Sequence, residues 1–128
     1  MRYSERHQER DFGIILGKTL VTIDAAEGAK EVHFTCADGT RYLMYHDREC
    51  CESVTLHDIA GNLGDLIGAP LVMAEETSNS DDPPPSPDSW TWTYYKLATV
   101  NGFVTLRWLG ESNGWYSEGV EFKEVLGD

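Results

Sequence analysis

The chain has 128 residues, 41% hydrophobic and 11% aromatic, with a formal net charge of −12. That length and apolar content suit one folded domain with one core and exclude a wholly disordered chain. No apolar run reaches the ~20 residues that span a bilayer, and the charged start lacks a secretory leader, so a cytoplasmic protein with no membrane partner is expected.

Residues 1–12 read as a flexible arm on a single domain covering 1–128. Leu20-Val21-Thr22-Ile23 is β-rich. In Glu31 to Cys36 the apolar residues Val32, Phe34 and Cys36 alternate onto one face, and Asp38-Gly39 turns the chain into a second strand, Arg41 to His46. Val54 and Leu56 suggest a short strand. Ile59, Leu63, Leu66 and Ile67 recur at helical spacing behind Asp58 as N-cap, which predicts one short helix near residues 58–67, ended by Gly68 and Pro70. Leu71 to Ala74 resumes as a strand. Residues 78–89, with Asp81, Asp82 and a run of prolines, cannot join a sheet ladder and read as an exposed acidic loop.

Asn101-Gly102 between Trp90–Val100 and Phe103–Leu109 is a strong hairpin signal. A turn centred there pairs Leu97 with Leu106, Tyr95 with Trp108, Lys96 with Arg107 and Tyr94 with Leu109. Trp115 to Val125 follows as a third strand. The expected fold is α+β: a mostly antiparallel sheet of about six to eight strands with one short helix, and a partly closed barrel or a sandwich would use the same strands.

The negative charge is local. Between Asp47 and Asp88 ten acidic residues stand against one basic residue, Arg48, so this stretch holds −9 of the −12. Such a patch repels phosphates and attracts cations or basic protein surfaces, so direct nucleic-acid binding is not expected. Spaced carboxylates could instead imitate nucleic acid and block a phosphate-binding channel.

Within that stretch lie the groups with most chemical potential. His46, Cys50 or Cys51, and His57 are zinc-type ligands, but their spacing matches no structural zinc motif, and a strand-end turn with inward-packed cysteines explains them as well. As a nucleophile, Cys50 or Cys51 would sit among Asp47, Glu49 and Glu52, whose charges disfavour a thiolate. Three cysteines, two of them adjacent, are expected as free thiols in a reducing compartment. Glu75 and Glu76 could serve acid–base work or bind a hard cation, yet consecutive strand residues point to opposite faces. Trp90, Trp92 and Tyr94 share a face running toward Lys96, with Arg107 across from it and Trp115 and Tyr116 close by; this is either a stacking surface or packing. No catalytic residues, cofactor or metal are assigned.

Several segments together resemble a family of small, uncharacterised acidic proteins of bacteriophages and bacteria. They are Tyr45 to Val54, Asp65 to Gly68, Met73 to Glu76, Thr91 to Lys96 and, most specific, Val104 to Glu118. The resemblance covers roughly residues 40–123 and brings no activity with it. It implies a phage or mobile-element accessory product acting inside a bacterium.

The expected function is a non-enzymatic acidic binding protein that engages a host protein with a basic surface; inhibition of a nucleic-acid-handling or defence protein would be one use of it. Its contact residues would be Asp47, Glu49, Glu52, Glu75, Glu76, Asn79, Trp92, Arg107 and Trp115. One alternative is a module that sequesters a small molecule or nucleotide, with Arg107 on a phosphate and Trp92 or Trp115 on a base. Another is a metal-dependent enzyme using the His46–Glu52 cluster. The sequence leaves the oligomeric state open.

Overall fold

Two antiparallel sheets face each other across one core. The computed structural model describes residues 6–84 and 88–126. Among these are nine strands: β1 Arg6–Glu9, β2 Leu20–Asp24, β3 Glu31–Cys36, β4 Arg41–Tyr45, β5 Ser53–Ala60, β6 Met73–Asn79, β7 Ser89–Thr99, β8 Gly102–Ser112 and β9 Glu121–Leu126. The five-stranded sheet runs β1-β9-β4-β3-β2 and the four-stranded sheet β5-β8-β7-β6. The fold is thus mostly antiparallel, as expected, and of the two arrangements open to these strands it is the sandwich: among the described residues the sheets stay separate and no closed barrel forms.

The core follows from alternation. Val32, Phe34 and Cys36 of β3 are buried on one face, and the odd-numbered residues Tyr95 and Leu97 of β7 meet the even-numbered Val104, Leu106 and Trp108 of β8. Between the sheets, the Trp108 indole Nε1–H donates to Met44 Sδ at 3.1 Å. Phe122 of β9 stacks on Tyr42 at 5.2 Å between ring centroids. Phe12 touches Phe122 edge-on at 5.1 Å and Tyr95 at 4.8 Å, joining the two sheets. Each such aromatic pair adds ~0.5–1.5 kcal/mol to the area it buries.

Phe12 also corrects the reading of residues 1–12 as a flexible arm. Arg6–Glu9 form the edge strand β1 on β9, and Phe12 and Ile15 are buried plugs in a 3₁₀ turn capped by Asp11. A four-residue edge strand of charged and polar side chains has no apolar alternation to reveal it. Residues 1–5 lie outside the described residues.

The short helix near 58–67 reduces to a single 3₁₀ turn, Leu63–Leu66, capped by Asn62. Asp58 is not a cap: residues 58–60 continue β5, because Ile59 pairs with Leu106 and Ala60 with Thr105 in the ladder. The strand beginning at Leu71 starts at Met73 and runs on to Asn79.

The β7–β8 hairpin keeps the predicted faces but shifts register by two residues. Leu97 pairs with Val104, Tyr95 with Leu106, Tyr94 with Arg107 and Lys96 with Thr105, so the turn is Val100-Asn101. Gly102 is not a turn glycine. Among the described residues it is absent from those with positive φ, and a Cβ there would meet Asp65 Oδ2 at 2.6 Å. Asp65 belongs to the 3₁₀ turn packed on the hairpin, and its carbonyl accepts from Thr99 Oγ1 at 2.5 Å. The glycine is there for close approach, which the Asn-Gly pair in the sequence disguised as a turn.

Trp115 to Val125 is likewise not one strand of this sheet. Only Glu121–Leu126 is extended, and it crosses to the other sheet between β4 and β1. The preceding loop folds back on β8, where a Cβ at Gly110 would stand 2.3 Å from the Glu118 carbonyl oxygen. Because that obstruction is backbone, Gly110→Ala should destabilise the protein by ~1–3 kcal/mol, read as a lower urea midpoint at unchanged slope.

Candidate functional site

The register places three loops at one end of the sandwich. Ser53 pairs with Glu111, Ser89 with Ser112 and Asn79 with Trp92, so β5 and β7 start, and β6 and β8 finish, at that end. The segments 46–52 and 113–120, with residues 80–84 and Asp88, therefore emerge together. They carry Asp47, Glu49, Asp81, Asp82, Asp88 and Glu118, with Glu111 and Glu121 beside them. Not every carboxylate of the acidic stretch joins this end. Asp65 packs at the opposite end, against Gly102. Asp58 is neutralised on the outer sheet face by Arg107, whose Nε lies 2.6 Å from its Oδ1.

Glu52 holds the first loop. Its side chain is buried at the start of β5, although the sequence places it among exposed contact residues. One carboxylate oxygen accepts from His46 Nε2 at 2.8 Å and the Glu49 N–H at 2.8 Å, the other from the Cys50 N–H at 2.9 Å. Burial pushes the carboxyl pKa up, but these donors outweigh it and bring the value down to about 2. A carbonyl cannot donate, so His46 Nδ1–H donates to the Gly119 carbonyl at 2.7 Å, and the imidazole ties loop 46–52 to loop 113–120. The Asp47 N–H adds a bond to Glu121 Oε2 at 2.8 Å.

The loop wraps Glu52, so Cys50 and Cys51 do not alternate as strand neighbours would. They stand side by side, with Cα atoms 3.8 Å apart and their sulfurs together. Cys36 is free and buried, and burial raises its thiol pKa. His57 lies away from this cluster, edge-on to Trp92 at 5.2 Å between centroids. Among the described residues no three His, Cys, Asp or Glu side chains come together in a way that could hold a metal ion.

Glu118 holds the third loop, accepting from Thr91 Oγ1 at 2.7 Å and from Ser112 Oγ. Asn113 Oδ1 accepts from the Trp115 N–H at 3.0 Å, and Gly114 takes the left-handed φ of 95° that reverses the chain. The turn leaves Trp115 85% exposed, the most exposed large apolar side chain among the described residues.

The outer face of the four-stranded sheet carries the other aromatic group. Trp90, Trp92 and Tyr94 share this face as predicted, but Trp92 is buried, not free to stack. The Arg107 guanidinium lies over its ring at 4.4 Å, and its Nε1–H donates to the Asp82 carbonyl at 3.1 Å. Arg107, drawn first to Asp58 and then to Tyr94, has its pKa raised. Glu75 and Glu76 are exposed on the edge strand β6, opposite Lys96 and Tyr95, so they do point to different faces. The Glu76 carboxyl pKa is raised by desolvation, while a hydrogen bond from Tyr95 lowers it. Asn79 Oδ1 accepts from the Asp81 N–H at 3.1 Å and shapes the start of the second loop.

Sequence reasoning missed Glu118, the Gly119 carbonyl, and the packing of Asp82 on Trp92. The first two carry no sequence signal. The third had one: Asp82 and the alternating tryptophans stand close together in the chain, and a buried indole N–H needs an acceptor.

Fold and site together define a β-sandwich with an acidic, loop-built end. The chain belongs to the family described as Domain of unknown function (DUF7448), which matches residues 14–122. The match begins well upstream of residue 40, where the resemblance read from the sequence starts. No curated protein and no solved structure matches the chain.

The lowered Glu52 pKa has a definite sign. The folded carboxyl holds its proton more weakly than an unfolded one, so protonation favours unfolding. The stabilisation is complete above the ordinary carboxylate pKa of 4.5 and is lost as pH falls toward about 2. Glu52→Gln should be less stable than the wild type at neutral pH, and the difference should shrink across that acid window, read by thermal melts at successive pH values.

Proposed function

We propose that the protein is a non-enzymatic binding protein whose acidic end docks a basic surface of a partner protein, with Trp115 as the anchor. The observation that carries this is Trp115, 85% exposed on a turn braced by Asn113 and Gly114, at the end where the acidic loops converge. A large aromatic ringed by charge is the composition of an interface hot spot with a polar rim. Asp47, Glu49, Asp81, Asp82 and Glu111 supply long-range attraction, while Glu52 and His46 hold the platform and stay out of the contact. The uncharacterised family and the acidic surface fit a phage or mobile-element accessory protein in the bacterial cytoplasm, with a host protein as partner. Blocking a nucleic-acid-handling or defence protein is one use of such a surface.

Nucleotide sequestration has less support, because one face of Trp92 is taken by Arg107 and Arg107 is taken by Asp58. A metal-dependent enzyme built on His46, Cys50, Cys51 and Glu52 has less still, since Glu52 is filled by His46 and two backbone N–H groups.

The test is capture of a partner from bacterial lysate on the immobilised protein. Capture should fall steeply between about 0.05 M and about 0.5 M salt, because the attraction is screened. Trp115→Ala should weaken binding of the purified partner about 30-fold, the effect of losing a ~2 kcal/mol anchor. Salt-independent binding that Trp115→Ala leaves unchanged would reject the reading.

A further inference from the structure

The outer face of the four-stranded sheet changes character along its length. Antiparallel partners project to the same side, so the register sorts the outer residues into rows. At the end remote from the acidic loops, Met73, Ala98 and Phe103 stand opposite one another across β6, β7 and β8. Their neighbours Leu97 and Val104 are fully buried in the core, so this row points outward. Phe103 is 49% exposed, and Val100, in the adjoining hairpin turn, is 81% exposed.

The solvent side of an antiparallel sheet is ordinarily polar, so four apolar side chains gathered there make a patch that calls for an occupant. The next row along says which. Glu75 of β6 and Lys96 of β7 stand directly opposite each other. Among the described residues neither enters an ion pair. An exposed pair of this kind contributes little within one chain.

Across two chains the same row becomes self-complementary. A two-fold axis that sets Lys96 of one copy against Glu75 of the other makes the reverse contact as well. The apolar row beside it then forms the centre of the contact and the charges its rim. The long-range field favours the same arrangement. The row carries one charge of each sign, whereas the opposite end is dominated by carboxylates. Two chains of charge −12 can therefore meet here while their acidic loops stay apart.

We infer that this half of the outer sheet face is an interface between two copies of the chain, paired about a two-fold axis with Phe103 and Val100 at its centre and Lys96 against the partner subunit's Glu75. Trp115 lies at the other end and stays free in both copies, so the interface stands or falls independently of the acidic docking surface.

The readout is the mass of the full chain in solution, by sedimentation at rising concentration. The wild type should reach twice the chain mass by about 100 μM, because specific interfaces of standard size associate at micromolar concentration or below. Phe103→Ser should weaken association about 30-fold, since the two-fold axis removes the ring twice. Lys96→Glu and Glu75→Lys should each be monomeric where the wild type is dimeric, because like charges then face each other. An equimolar mixture of these two variants should dimerise again, each supplying the charges the other lacks. Trp115→Ala should leave the mass unchanged. A wild type that stays monomeric throughout, or a dimer that Phe103→Ser and both charge reversals leave intact, would overturn the proposal. Monomers that sediment instead with neutral phosphatidylcholine vesicles would overturn it too, by assigning the patch to a membrane. Should Phe103→Ser fail to fold, the restoration on mixing remains decisive.

Discussion

The buried carboxylate of Glu52 organises the acidic end. An ionised side chain at a sheet end, shut away from water, is tenable only when donors surround it. Here they come from the Glu49 and Cys50 backbone and from His46, which is itself held by the Gly119 carbonyl. That chain of bonds turns two crossings between the sheets, β4 to β5 and β8 to β9, into one braced structure. The negative charge that crowds the surface around it is therefore carried on a fixed frame.

The frame separates two tasks among carboxylates that look alike in sequence. Glu52 and Glu118 face inward and bind loops; Asp47, Glu49 and Asp81 face water. Asp58 is spent on Arg107 within the sheet face. A surface built this way keeps its long-range field while its shape is set by buried partners. The exposed Trp115 then gives that field a point of contact.

The tryptophans divide along the same line. Trp108 fills the space between the sheets and is part of the core. Trp92 is buried on the opposite face of the same hairpin, which most sandwiches leave to solvent, because Arg107, His57 and Asp82 pack against it. Trp115 is left open. Three residues of one type thus report three environments: core, covered sheet face and free anchor.

Much of this was legible in the residues. The alternation of Val32, Phe34 and Cys36 specified β3 and its inner face, and Trp90, Trp92 and Tyr94 were placed correctly on a common face. The antiparallel character and the concentration of charge were also fixed by the chain alone, since period-two patterning and local charge counts are properties of neighbours in sequence. Only the tertiary structure decided the hairpin register, because Gly102 answers to Asp65, a residue from another turn. It alone turned the helical spacing of Ile59 to Ile67 into strand and 3₁₀ turn, since ladder pairing with β8 outweighs a weak, glycine-broken periodicity. It alone decided which glutamates are buried and which tryptophan is free. Burial is settled by what packs on a side chain from distant parts of the chain, and no local pattern records that.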